Sequence, residues 1–308
     1  MTDARGLLVL EPGVLTTVQD LGRYGWASFG VPAAGALDEE ALRLANRLVG
    51  NAESAAALEI TFQGPVLRTA GDLDLAVAGG AFGPAPGKVL RVADGEIVSL
   101  ASAPGATRAI VAVGGGIDVP LVLGSRSTCV SGRFGGFQGR RLQRGDFLAV
   151  FPASSAPLLE ASADLTQPGD GDVVLRAFAG SDEGEFDTAA RAAFWRTRWK
   201  ILPESNRMGL RLSGPSLGLV ETASRASEGT TRGTVQVTAD GHPIVLLGER
   251  PTTGGYPKIA VVAAVDLDLL ARTPPGRNLR FERIAVTEAR RQLDAREARL
   301  RAFPGGPT

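Results

Sequence analysis

Histidine and cysteine are almost missing from this chain: one of each, His242 and Cys129, in 308 residues. A lone cysteine forms no internal disulfide, and one histidine beside it makes no Cys/His metal framework, so no metal site is expected. Lysine is scarce too, at positions 88, 200 and 258 only, so arginine supplies nearly all of the 33 basic residues. They balance 33 acidic ones. Zero net charge and no basic block argue against a nucleic-acid groove or a basic membrane face. Long apolar runs are absent, and none nears the roughly 20 residues of a membrane span. MTDARGLLVL, at the start, lacks the apolar core and cleavage site of a signal peptide. The expectation is a soluble cytoplasmic protein.

Several catalytic devices are also missing. GPAPGKV (83–89) has the wrong glycine spacing for a phosphate loop, and Val89 stands where Ser or Thr would follow the lysine. No Gly-x-Ser-x-Gly elbow occurs. His242 sits in a turn, DGHPI, and reads as a polar turn residue. Cys129 reads as a small half-buried residue rather than a nucleophile. Methionine occurs only at 1 and 208, so there is no Met-Lys-Met biotin-attachment site.

What the chain does have is punctuation. Forty glycines and 19 prolines separate short runs rich in Val, Ile, Leu and Ala. These runs lie at 7–10, 57–62, 73–79, 109–114, 147–151, 173–178, 234–238, 243–247, 258–262 and 279–286. Many short strands with few intervening helices predict a mainly β protein, a barrel or sandwich. Three or four helices are expected. Asp38 caps the first, with Glu39 and Glu40 at its positive end and Gly50 as its stop. Asp187 opens the second, over 188–200. The third, 266–272, halts before Pro274 and Pro275. The fourth, 287–302, turns Ala289, Leu293 and Leu300 inward. The stretch 153–172 has no clear period and is rich in Ser, Pro and Gly, which marks a boundary. It divides the chain into a β-rich half, 1–160, and a second β-rich half with a C-terminal helix, 161–308.

Chemistry is left to four glycine-rich polar loops. VQDLGRYGWASFGVPAAGALD (18–38) threads Gln19, Asp20, Arg23, Tyr24 and Trp26 between Gly22, Gly25, Gly30 and Gly35. GSRSTCVSGRFGGFQGRRLQRGD (124–146) places arginines 126, 133, 140, 141 and 144 among glycines. SNRMGLRLSG (205–214) and ERPTTGGYPKIA (249–260) follow. Backbone N–H groups at such turns can form anion nests, and arginine can hold a carboxylate in a fork. Solvated hairpins are the plainer reading of any one loop.

These loops carry a resemblance. TTVQDLGRYGWASFGVPAAGALD, LANRLVGN, ALEITFQGP, GSRST, GGFQGR, LQRGD, NRMGLRL, GTVQVTADGHPIVLL, TTGGYPKIA and PPGRNLRFE, spread over almost the whole chain, resemble the KipA-like proteins. That family is also called allophanate hydrolase subunit 2 or biotin-dependent carboxyltransferase. Its branch of 5-oxoprolinase C subunits is the most similar, and the related part of urea carboxylase also belongs to it. The resemblance implies a cyclophilin-like β-barrel architecture. It also implies a KipI-like partner (the 5-oxoprolinase B subunit) and a third chain, the 5-oxoprolinase A subunit. Together they would open 5-oxoproline to glutamate, driven by ATP bound at a site shared with the partner. Two alternatives stand beside this: the carboxyltransferase subunit of a biotin-dependent urea or amide carboxylase, and a non-catalytic regulator that relieves a KipI-like kinase inhibitor.

On this reading Lys258, Gly254 and Gly255 are the catalytic candidates, because a developing charge needs preorganised donors. Substrate-binding candidates are Gln19, Asp20, Arg23, Arg126, Ser127, Arg207, Gln236, Thr253 and Tyr256, with Arg207 holding a substrate carboxylate. Gln19, Asp20 and Arg23 either touch substrate or brace their loop. The double glycine is expected to permit positive φ and close backbone approach. The sequence departs from the family's pattern at Glu249-Arg250-Pro251, where Asp-Arg-Gln is common. Tyr is common at position 129 and Gln at 242, which argues further against catalysis by Cys129 or His242. The change at 249–251 bears on substrate choice more than on fold.

Overall fold

The computed structural model describes residues 5–153, 165, 168–169, 171–220 and 226–303. The chain divides into two units: residues 1–24, 34–167 and 298–308 form one, and residues 25–33 and 168–297 the other. The boundary expected between residues 160 and 161 lies outside the described residues.

In the first unit the strands are β1 (Gly6–Glu11), β2 (Leu15–Gln19), β3 (Ala57–Thr61), β4 (Val66–Ala70), β5 (Leu73–Gly79), β6 (Val89–Val92), β7 (Ile97–Ser99), β8 (Arg108–Val113) and β9 (Phe147–Ala149). They form two sheets, ordered β7-β4-β1-β9 and β2-β3-β8-β5-β6. β3 and β8 are buried on both faces, which is why β8 reads as a nearly continuous apolar run; β3 buries Glu59 in its centre, where the carboxylate accepts the Leu37 N–H at 2.7 Å. Alternate residues serve different layers. Leu58, Ile60, Leu75, Val77, Val111 and Val113 pack with Leu7, Val9, Leu67 and Leu148 of the other sheet. Their neighbours Ala57, Ala76, Ala78, Ile110 and Ala112 pack instead with Leu42, Ala45 and Leu48 of helix α1 (Glu39–Leu48). The alanines on this face let the helix approach closely. Asp38 caps α1 by accepting the Ala41 N–H at 3.0 Å.

The second unit holds β10 (Val173–Ala179), α2 (Thr188–Arg196), β11 (Trp199–Ile201), β12 (Gly209–Ser213), β13 (Glu228–Gly229), β14 (Thr234–Val237), β15 (Pro243–Leu246), β16 (Thr253–Gly254), β17 (Lys258–Val262), α3 (Leu267–Arg272) and β18 (Asn278–Arg283). Seven of the strands close a barrel in the order β10-β17-β14-β15-β12-β11-β18. The expected mainly β architecture, with a barrel and a few short helices, is therefore present. β13 and β16 stand apart as a two-stranded pair.

Helix α2 ends sooner than expected. The residues after Arg196 turn extended, and Trp199 begins a strand. Its indole N–H donates to the Phe194 carbonyl at 3.0 Å, satisfying an acceptor the helix end leaves open. The Phe194 ring stacks on Phe281 with centroids 4.5 Å apart. The last helix, α4 (Val286–Ala302), carries exposed pairs such as Arg290–Asp294 and Arg291–Glu288. No described helix is long and apolar enough to cross a membrane.

Candidate functional site

The predicted residues fall into two clusters, one in each unit. The first forms where β2 ends. β2 pairs with β3 as far as Gln19↔Ala57, so the chain leaves the sheet with Gln19 and Asp20 buried. Asp20 accepts hydrogen bonds from Ser125 Oγ at 2.6 Å, the Arg126 N–H at 2.6 Å, the Gly22 N–H at 2.7 Å and Ser127 Oγ. Its own N–H donates to Ser127 Oγ at 2.9 Å. This single carboxylate therefore stitches the two loops expected to carry chemistry. Arg23, 2% exposed, donates to the carbonyl of Ser127 and lies over the Phe134 ring. Gln19 donates to Thr17 Oγ1 at 3.0 Å and to the Thr128 carbonyl at 3.1 Å. Arg126 bonds the Val119 carbonyl at 2.9 Å and packs over Phe151.

The approach of the second loop depends on glycine. Gly136 has φ +53, and a Cβ there would sit 1.9 Å from Thr128 Oγ1. Further along, Arg140 grips Asp146 in a fork at 2.7 and 2.8 Å. Those hydrogen bonds hold the Asp146 carboxyl below its ordinary value, against the opposing effect of burial. The loop's polar groups thus largely hold the loop itself.

The second cluster lies in the barrel unit. Gln236 on β14 stands opposite Lys258 on β17. Its Nε2 donates to the Tyr256 carbonyl at 3.2 Å. Gly254 packs on the same amide, and a Cβ there would lie 2.7 Å from Gln236 Nε2. Space, not backbone conformation, demands this glycine: neither Gly254 nor Gly255 is among the residues with positive φ, contrary to expectation. Lys258 is held at both ends. Its N–H donates to Asp182 Oδ2 at 2.9 Å, its carbonyl accepts the Asp182 N–H at 3.2 Å, and its Nζ lies 2.6 Å from Glu228 Oε2. Thr253, on β16, is exposed, and Tyr256 is 47% exposed.

Arg207 is placed differently from its expected role. Its Nε lies 2.6 Å from Glu249 Oε1, with the two side chains 4% and 2% exposed. The Glu249 N–H also donates to the Arg207 carbonyl at 3.0 Å. The acid at the departure from the family's pattern is therefore Arg207's partner. Removing one member of a buried pair like this costs about 3–5 kcal/mol, so a substrate carboxylate would face a strong competitor. Pro251, which lacks an N–H, uses its carbonyl to accept Thr230 Oγ1. Cys129 is fully buried, deeper than expected, with Sγ 3.5 Å from Ser131 Oγ.

Residues 29–283 match the family model described as "Carboxyltransferase domain, subdomain A and B". The chain belongs to that carboxyltransferase family. It is 38% identical over 304 residues to the 5-oxoprolinase C subunit of Escherichia coli, covering 96% of both chains. Against the 5-oxoprolinase C subunit of Haemophilus influenzae the identity is 34%, over 91% of this chain and 92% of that one. The crystal structure of Kluyveromyces lactis urea carboxylase superposes with a TM-score of 0.89 at 30% identity. That match takes in 98% of this chain but only 30% of the urea carboxylase.

Within this carboxyltransferase fold, Glu228 and Asp182 are neighbours of Lys258 that no motif signals. Glu228 reaches Lys258 only because β13 pairs with β16, Glu228↔Gly254. Asp182 reaches it from just beyond β10. A cross-strand register linking positions tens of residues apart leaves no local pattern to read.

Proposed function

We propose that this chain is the C subunit of an ATP-dependent 5-oxoprolinase, acting in the cytoplasm with a KipI-like B subunit, which shares the ATP site, and with the A subunit of the same complex. The observation that carries this is end-to-end correspondence with the 5-oxoprolinase C subunit of Escherichia coli, at 96% of each chain. A lactam is a poor electrophile. ATP, a co-substrate here, supplies a phosphoryl group to the amide oxygen and opens the carbonyl carbon to water. This chain's share is to bind and orient the lactam and to stabilise the charge that develops. Lys258 contributes a fixed ammonium, and the Gly254–Gly255 backbone contributes donors on the segment that leads to it. GPAPGKV does not serve ATP in this reading: Gly87 donates to the Val77 carbonyl at 2.7 Å, and Lys88 is exposed.

The experiment is co-expression with the two partner subunits, followed by ATP hydrolysis measured with and without 5-oxoproline. Hydrolysis that depends on 5-oxoproline supports the proposal. The family model and the urea carboxylase superposition favour a second reading, a carboxyltransferase subunit fed by a separate biotin carrier. Avidin-sensitive carboxylation of urea or an amide, with no response to 5-oxoproline, would establish that reading instead.

A further inference from the structure

We infer that Glu228 stands in for the carboxylate of the substrate at Lys258, and that the site therefore takes an anionic lactam in exchange for its own acid. The inference rests on the 5-oxoprolinase reading and names the group that recognises the substrate. Four observations carry it.

The Lys258 ammonium is a fixed element. Its backbone is locked from both sides by Asp182, and its side chain is only 12% exposed. Glu228 is the opposite, with a side chain 55% exposed on a strand of two residues. That strand pairs with β16 alone, outside the barrel. An isolated two-stranded pair is marginal in water, and an ion pair with one solvated partner is weak. The carboxylate end of the pair can therefore leave while the ammonium stays. The Gln236 amide opposite Lys258 is committed elsewhere, its Nε2 donating to the Tyr256 carbonyl and its side chain packed against Gly254. Arg207, the other candidate for a carboxylate, is buried against Glu249. An incoming acid would exchange with Glu228 at a wet rim far more readily than with Glu249 away from water.

The test titrates the assembled complex, and its Glu228→Gln and Lys258→Met variants, by calorimetry. The probes are 5-oxoproline and 2-pyrrolidinone, the same ring without the carboxylate. Glu228→Gln removes the competing acid and is expected to tighten 5-oxoproline binding about three- to tenfold, with no change for 2-pyrrolidinone. Lys258→Met is expected to weaken 5-oxoproline at least tenfold and to abolish the preference for it. Glu228 is exposed, so its variant reports even where Lys258→Met fails to assemble. Unchanged affinity for 5-oxoproline in Glu228→Gln overturns the inference, as does equal binding of the two probes by the wild type, or no binding of 5-oxoproline at all. Turnover of 5-oxoproline with unchanged affinities sinks this inference and leaves the functional proposal standing. The expected affinity pattern without turnover does the reverse.

Discussion

Asp20 and Gly254 show how differently a single residue can matter. Asp20 accepts from two serine hydroxyls and two backbone N–H groups while itself 8% exposed. Asp20→Ala strands those donors together. It is expected to cost about 3 kcal/mol, read as a lower urea midpoint at unchanged slope. A loss of activity with no loss of stability would show that Asp20 serves the ligand rather than the loops. Gly254 gives a cleaner double-mutant experiment. Gly254→Ala pushes on the Gln236 amide and is expected to cost about 1–2 kcal/mol. In a Gln236→Ala background most of that cost should vanish, a coupling near 1 kcal/mol; additive costs would mean the two do not touch. The sequence alone singles out both Asp20 and Gly254 and offers bracing as one of two roles for Asp20, but it gives neither Asp20's partners nor the reason for Gly254. Glycine at 254 suggested backbone freedom, whereas the structure shows a need for room, and room depends on what folds against a position.

Elements were easier to read when their residues had one job. β8 is buried on both faces and reads as an apolar run from Ala109 to Val113. Helix α1 announced its cap, its first turn and its apolar stripe. β2 did not, because LTTVQ mixes hydroxyls and an amide into a buried strand before a glycine-rich loop. β11 is hidden in a helical pattern that breaks after Arg196, where the Trp199 indole N–H folds back onto the Phe194 carbonyl and Trp199–Ile201 pairs with β12 and β18. Helix α1 also makes a pH prediction. Arg43 and Arg47 clamp Glu53 just beyond its end, with Nε–O distances of 2.5 and 2.6 Å. Burial pushes the Glu53 carboxyl up, but the hydrogen bonds and charges of the two arginines outweigh it, and the group ends below its ordinary value of 4.5. The clamp's contribution is full above about pH 4.5 and is lost as pH falls through the lowered value. Between pH 6 and pH 3 the wild type should lose of order 1 kcal/mol more stability than Glu53→Gln, by denaturant titration at each pH. Equal losses would remove the clamp from the account.

The sequence carries no phosphate loop and no nucleophilic triad. The purified single chain is therefore expected to hydrolyse neither ATP nor 5-oxoproline above buffer controls, by phosphate release and glutamate assay. Robust turnover by the chain alone would show a complete site within it. The barrel carries one more consequence, and it is a matter of parity. A ring of seven strands cannot reverse direction at every step, because an odd cycle cannot be two-coloured. Somewhere two neighbours must run the same way, and here they are β10 and β18, the first and last strands of the ring along the chain. The polypeptide thus enters at one rim and leaves at the other. β10 has seven residues, so the two openings lie about 23 Å apart along the strand. Anything spliced in just before Val173 and anything appended just after Arg283 would hang from opposite mouths of the barrel, and no tight turn could ever join the two ends.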